Sequence, residues 1–253
     1  MKLVIATLTA VTALASGCLL AQDADVLRVY SSNGVRVVLE DMQPQIEETV
    51  GKRIAFEFST SRTLVERIEA GEAFDVALLT PVLIDELIAS ERVVPGSDMG
   101  FARAGIGVGS RQGTAAKSVG TLEDLRQTFL EAESVAFGAN GQSRRTNEAS
   151  FETLGIADEM RGKTRLTGAG EAPELVAGGE IELVLTLVSE LVRAPGVQFL
   201  GPLPPEVQRY IDFAAGVSVS AQDPAAASAL IEFLSTPAFV AALRETGLEP
   251  ADP

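Results

Sequence analysis

A short apolar segment, a turn of small hydroxylated residues and an amphipathic helix follow one another repeatedly along this chain, and that order points to a parallel α/β sheet. Leu27 to Tyr30 reads as a buried strand. Across Ser31-Ser32-Asn33-Gly34 the period changes, and Val35, Val38, Leu39, Met42 and Ile46 fall at helical spacing. Ile54 to Phe58 repeats the strand, Ser59-Thr60-Ser61 repeats the turn, and Leu64, Val65 and Ile68 line a helix that Gly71 ends. Val76 to Leu79 is a further strand, after which Pro81 opens a helix carrying Leu83, Ile84, Leu87 and Ile88.

A second series begins after a long extended run from Phe101 in which Gly105, Gly107 and Gly109 alternate with Ile106, Val108 and Ser110. So much glycine suits a strand crossing between lobes better than a packed core strand. Thr121-Leu122-Glu123-Asp124 has the form of a capping box. Val135 to Gly138 reads as strand, Ser143 to Leu154 as helix, Glu171 to Ala177 as a helix containing Pro173, and Ile181 to Leu185 as strand. Phe213 to Ser220 is a second extended run of small residues, followed by helices opening at Asp223-Pro224 and at Pro237, with Gly247 near the stop. A faint internal echo links Ala70-Gly71-Glu72 and the apolar run to Thr80 with Ala177-Gly178-Gly179-Glu180 and the run to Thr186. The expected architecture is α/β with two lobes and two crossover strands forming a hinge. Residues 25–104 and 214–253 make a discontinuous first lobe, and residues 105–213 make the second.

Composition narrows the chemistry. The 253 residues hold no histidine and one cysteine, which excludes a histidine triad, a histidine-ligated metal and a cysteine cluster. No catalytic residue, metal or cofactor is expected. A net charge of -15 argues against nucleic acid and anionic membrane surfaces as partners. Lys2 followed by the apolar stretch Leu3 to Ala21 reads as a secretory signal peptide over residues 1–21, with the chain turning polar at Gln22. Cleavage after Ala21 leaves a charge of 19 − 35 = -16 and a soluble periplasmic protein. The alternative takes Ala15-Ser16-Gly17-Cys18 as a lipobox, with Cys18 lipidated.

Ligands of open parallel sheets sit beyond the carboxyl ends of the strands, where helix N-termini present free N–H groups. Four such turns carry glycine or small hydroxylated residues: Ser31 to Gly34, Ser59 to Ser61, Ser143 with its neighbours, and Gly168 to Glu171. Together they suit a small anion, although any one of them also reads as a simple helix cap. Arg62, Arg144 and Arg145 follow two of these turns. Arg62 and Arg144 could pair with a carboxylate or oxyanion, or lie in solvent; Arg145 reads as a solvated flank.

The segments VYSSNGV, FSTSRTLVERIEAGEAFDVALLT, FGANGQSRR and SALIEFLSTPAFVAALRETGLEP resemble the periplasmic molybdate-binding type of extracellular solute-binding protein, which feeds an ABC importer. The likeness runs over almost the whole mature chain and is most specific from Phe58 to Asp75. It implies two α/β lobes that close on ligand like a hinged clamp, a monomer in form, with an ABC permease as partner. Carried over by position, the resemblance places hydroxyl ligands near Asn33 and Gly34, on Ser61 and on Ser143. Further contacts fall around Glu171 and Ala172, and near Thr186 and Leu187. The ligand set it implies, joined with the turns above, is Ser31, Ser32, Asn33, Gly34, Ser61, Arg62, Ser143, Arg144, Glu171 and Thr186.

The chain departs from that family where a tyrosine often closes the site near Thr186 and Leu187, since its only tyrosines are Tyr30 and Tyr210. Gly34 also stands in place of a serine. These departures, and TLVSELVRAPGVQFLGPLPPEVQ, resemble a divergent branch whose ligands are small organic acids. A molybdate or tungstate oxyanion and an exported sensory domain are the alternatives. A hydrolase built on Ser143 would need a base, and Gly141-Gln142-Ser143-Arg144-Arg145 lacks the second glycine of a nucleophile elbow.

Overall fold

The computed structural model describes residues 25–141 and 143–251, so the leader read over residues 1–21, Cys18 included, lies outside the described residues. The first series of units folds as expected. Strand β1 (Val26–Ser32) lies between β2 (Arg53–Ser59) and β3 (Val76–Leu79) and runs parallel to both. Helix α1 (Arg36–Val50) buries Val38, Leu39, Met42 and Ile46, α2 (Ser61–Glu69) buries Leu64, Val65 and Ile68, and α3 (Pro81–Ala89) buries Leu83, Ile84 and Leu87. Each fully buried aliphatic side chain contributes about 1.5–3 kcal/mol, which outweighs the weak helix propensity of the short α2. Asp75, inside the most specific motif, is buried and accepts from the N–H groups of Arg28 (2.8 Å) and Gln222 (2.9 Å), tying β1 to the segment before the closing helices.

The second series builds β5 (Val135–Gly138), parallel to both β6 (Thr164–Thr167) and β7 (Leu183–Leu187). Around them lie α4 (Leu122–Glu131), α5 (Arg144–Thr153), α6 (Ala157–Arg161), α7 (Glu171–Ala177) and α8 (Val188–Leu191). Thr121 caps α4, accepting from Asp124 N at 3.1 Å. Phe129 and Phe151 meet edge to face, centroids 5.1 Å apart, under α4 and α5.

The two sets of strands are joined through β4 (Met99–Arg111). Up to Gly105 it pairs with β9 (Tyr210–Val217), and from Ile106 onward it pairs with β7, then also with β8 (Val197–Pro202). The hydrogen-bonded order is β2-β1-β3-β9-β4-β7-β5-β6. This is a mixed α/β architecture of two strand sets sharing one long crossing strand. The return crossing comes earlier than the small-residue run implied. The chain passes back over 203–209, and β9 lies wholly beside β3 and the first half of β4. At the switch point the Gln208 side chain brackets Ile106: Ile106 N donates to Gln208 Oε1 and Gln208 Nε2 donates to Ile106 O, both at 2.8 Å.

The glycines of β4 have a packing cause as well. A Cβ on Gly107 would lie 2.7 Å from Phe199, and one on Gly109 would lie 2.8 Å from Val197, so both admit the close approach of β8. After β9, Asp223 caps α9 (Pro224–Phe233) and Thr236 caps α10 (Pro237–Glu245), which packs Phe239 against Phe101 and Phe233.

Candidate functional site

The parallel strands of both sets end at one place. A cavity of about 150 Å³ is lined by residues at or just beyond the carboxyl ends of β1 (Ser32, Asn33, Gly34), β2 (Ser59, Thr60, Ser61) and β3 (Thr80). Facing them are residues at or just beyond the ends of β5 (Asn140, Gly141, Ser143), β6 (Thr167 to Gly170) and β7 (Thr186, Leu187, Glu190). About 10–15 Å³ of such space suffices for one water, so the cavity has room for a small solute rather than a single water. This is where an open α/β sheet places its ligand, drawn from the two strand sets at once.

Local chemistry explains how each turn is held. Ser32 accepts weakly from Gly34 N (3.4 Å) and so opens the short turn Asn33–Val35. Thr60 caps α2, accepting from Thr63 N at 3.3 Å, and this fixes Ser61 at the first helical position. Ser61 Oγ is buried with no hydrogen-bond partner, and so is Thr80 Oγ1. Ser143 precedes α5 without a side-chain cap bond, and Gly170, at φ 78°, turns the chain into α7.

Of the residues expected at the site, Ser32, Asn33, Gly34, Ser61, Ser143 and Thr186 line the cavity. The others do not. Ser31 is buried behind the wall, its hydroxyl donating to Ser32 O at 3.3 Å. Arg62 points outward into a bidentate pair with Glu86, Nη1 to Oε2 at 2.8 Å and Nη2 to Oε1 at 3.2 Å. Arg144 donates to Glu148 Oε1 (2.9 Å) and to Ala139 O (3.0 Å). Glu171 turns back to accept from Gly168 N at 2.8 Å. The physical reason is the helix itself: successive positions differ by about 100°, so a serine aimed into the cavity sends the arginine after it elsewhere. Among the described residues that line the cavity there is no lysine or arginine.

The charged group at this site is one that sequence reasoning missed. Glu190 lines the cavity, and the Thr186 hydroxyl donates to its Oε2. Burial pushes this carboxyl above the ordinary carboxylate range, only partly offset by the Thr186 bond. Its signal was a lone acid in the apolar stretch LVLTLVSELV. Thr80, Thr167 and Phe213 also went unnoticed, because what aims them at the cavity is strand pairing distant in sequence.

The two halves are drawn together at Gly34. Ser189 Oγ donates to Gly34 O at 2.7 Å, and Arg193 pairs with Asp41 on α1. A Cβ on Gly34 would lie 2.5 Å from Phe213 Cζ and 2.6 Å from Leu187 Cδ1, so no larger residue fits without a shift. Leu187 and Phe213 thus occupy the space that a side chain at position 34 would need.

A sheet shared through a crossing strand, with a ligand-sized cavity where both halves end, defines the two-lobe class of periplasmic binding folds. Residues 27–249 match the profile of the bacterial extracellular solute-binding proteins, and the chain belongs to that family. An aconitate isomerase of a Pseudomonas species is 26% identical over 237 residues, covering 92% of this chain and 90% of that protein. The periplasmic molybdate-binding protein of Azotobacter vinelandii superposes with a TM-score of 0.76 at 17% identity, over 90% of this chain and 99% of that one. AgtB of A. tumefaciens, solved with agropinic acid, has a TM-score of 0.67 at 11% identity, over 89% of this chain and 82% of that one. At such identities the structural likeness speaks for the fold.

Proposed function

We propose that this chain is an exported solute-binding protein that closes its two lobes on a small organic acid anion and, as a monomer, presents it to an ABC permease. The observation that carries this is the pair of buried, unpartnered hydroxyls, Ser61 Oγ and Thr80 Oγ1, on the cavity wall. Leaving a buried polar group unpaired costs about 1–3 kcal/mol, and a ligand that accepts from both hydroxyls removes the cost. Neutral donors from several turns suit an anion in a chain whose net charge of -15 works against long-range attraction. Organic acids are favoured over metal oxyanions because the relative similar over nearly the whole chain is named for one, and because a carboxyl rather than a guanidinium lies in the cavity.

Isothermal titration of the mature protein with molybdate, tungstate, sulfate and a panel of small di- and tricarboxylates, trans-aconitate among them, tests the reading. One-site binding of a carboxylate with silent oxyanions supports it. The reverse pattern makes the chain an oxyanion binder. A neighbouring permease or ATPase gene separates transport from sensing.

A second reading, isomerisation of an unsaturated acid, is favoured by the aconitate isomerase likeness together with Glu190, an acid placed to move a proton inside the cavity. Appearance of cis-aconitate from trans-aconitate would establish it, and unchanged trans-aconitate with saturable binding would leave capture as the function.

A further inference from the structure

Glu190 is the charged side chain among the described residues that line the cavity, and no lysine or arginine among those residues answers its charge. Its own element and β7 offer only the Thr186 hydroxyl. The turn Asn33–Val35 and β8 carry no ionisable side chain. On β4, Arg103 is engaged by Glu249, and the Arg111 guanidinium lies against Gly179. Arg193, one turn on, is held by Asp41, and Glu171 and Arg144 on the far walls face Gly168 and Glu148. An anion entering this space meets either a like charge at close range, in surroundings that screen it poorly, or a neutral carboxyl able to donate a hydrogen bond.

We infer that Glu190 is the residue that couples this site to protons: the ligand anion is held with Glu190 protonated and donating to it, and binding takes up one proton from solution. The Thr186 hydroxyl fixes one carboxyl oxygen, which leaves the other to carry the proton toward the ligand. Desolvation of the Glu190 carboxyl favours the same neutral form and raises its pKa. The sign follows. An anion raises the pKa of Glu190 further, so affinity is flat below the free-protein value and falls above it, by up to about tenfold per pH unit. The consequence for specificity is that the site favours anions whose oxygens accept a hydrogen bond from a carboxylic acid, carboxylates foremost.

This inference rests on the anion-binding reading above, and the test separates the two. Trans-aconitate, or whichever carboxylate of the panel binds, is titrated into the mature protein between about pH 6.5 and 8.5, where an ordinary carboxylate is fully ionised. Two buffers of different ionisation enthalpy count the protons. The expected result is uptake approaching one proton per ligand and a steady loss of affinity as pH rises. Glu190→Gln keeps a donor without a titrating proton, so it takes up none, has a flat profile and binds more tightly than the parent at pH 8. Thr186→Val removes the bond that favours the ionised carboxyl and moves the fall in affinity to higher pH. Binding without proton uptake, or uptake that survives in Glu190→Gln with its thermal melt intact, overturns the inference and leaves the anion reading standing. Silence of the whole panel at every pH overturns both.

Discussion

Thr80 and Thr186 stand at corresponding points of the two lobes, each just at the end of a buried strand that follows a helix, a glycine of positive φ and an acid. Their hydroxyls have opposite fates. Thr80 Oγ1 is buried and unpartnered, while Thr186 Oγ1 is spent on Glu190. The first-lobe wall is thus a neutral set of donors waiting for an acceptor. The opposing wall already contains an acid, Glu190, whose protonation state an incoming anion must meet. If the cleft binds an anion as proposed, affinity and selectivity come from different halves of it, the hydroxyls of one supplying bonds to any small anion and the carboxyl of the other choosing among them.

The junction between the walls should be the most sensitive point. Gly34→Val places carbon atoms inside the contact distance of Phe213 and Leu187. Overpacking of this kind costs about 1–3 kcal/mol, and the variant should melt lower and lose ligand affinity by more than tenfold as the lobes are held apart. Next come the open hydroxyls. Ser61→Ala and Thr80→Val each remove a donor whose bond to a charged acceptor is worth about 1.5–3 kcal/mol, so each should weaken binding by roughly tenfold or more in calorimetry. Neither should lower the melting temperature of the free protein, because neither hydroxyl has a partner to lose.

Smaller effects sharpen the contrast. Thr60→Ala removes the cap of α2 and should cost about 0.5–2 kcal/mol of stability, whereas Ser143→Ala, at a helix start with no cap bond, should change stability by no more than about 0.5 kcal/mol. Arg62→Ala should also have a small effect. Its pair with Glu86 is nearly half exposed, at 46% and 44%, and such pairs are worth about 0–1 kcal/mol. Denaturant melts should barely move, and affinity should stay within about threefold.

Much of this arrangement was legible in the sequence because it is local. The apolar spacing from Val35 to Ile46, the prolines at the starts of α3, α9 and α10, and the threonine cap of α4 each announce themselves within one turn of helix. The elements that went unread have weak local signals. Strand β6, TRLT, exposes Leu166 and Arg165, and β8 is only half-buried and ends in proline. The site divides in the same way. The serines at helix starts were visible, but the direction of Arg62 depends on where Glu86 of the next unit lies, and Glu190 reaches the cavity only because β7 pairs with the second half of β4. Long-range register decided what each wall presents.

A crystal structure of the protein with a bound carboxylate would show directly which side chains hold the ligand. Ligand oxygens are expected within hydrogen-bond distance of Ser61 Oγ, Thr80 Oγ1 and the Glu190 carboxyl, with Arg62 still on Glu86 and Arg144 still on Glu148. A ligand held by either arginine, or seated outside this cavity with the two hydroxyls left unpaired, would contradict that expectation.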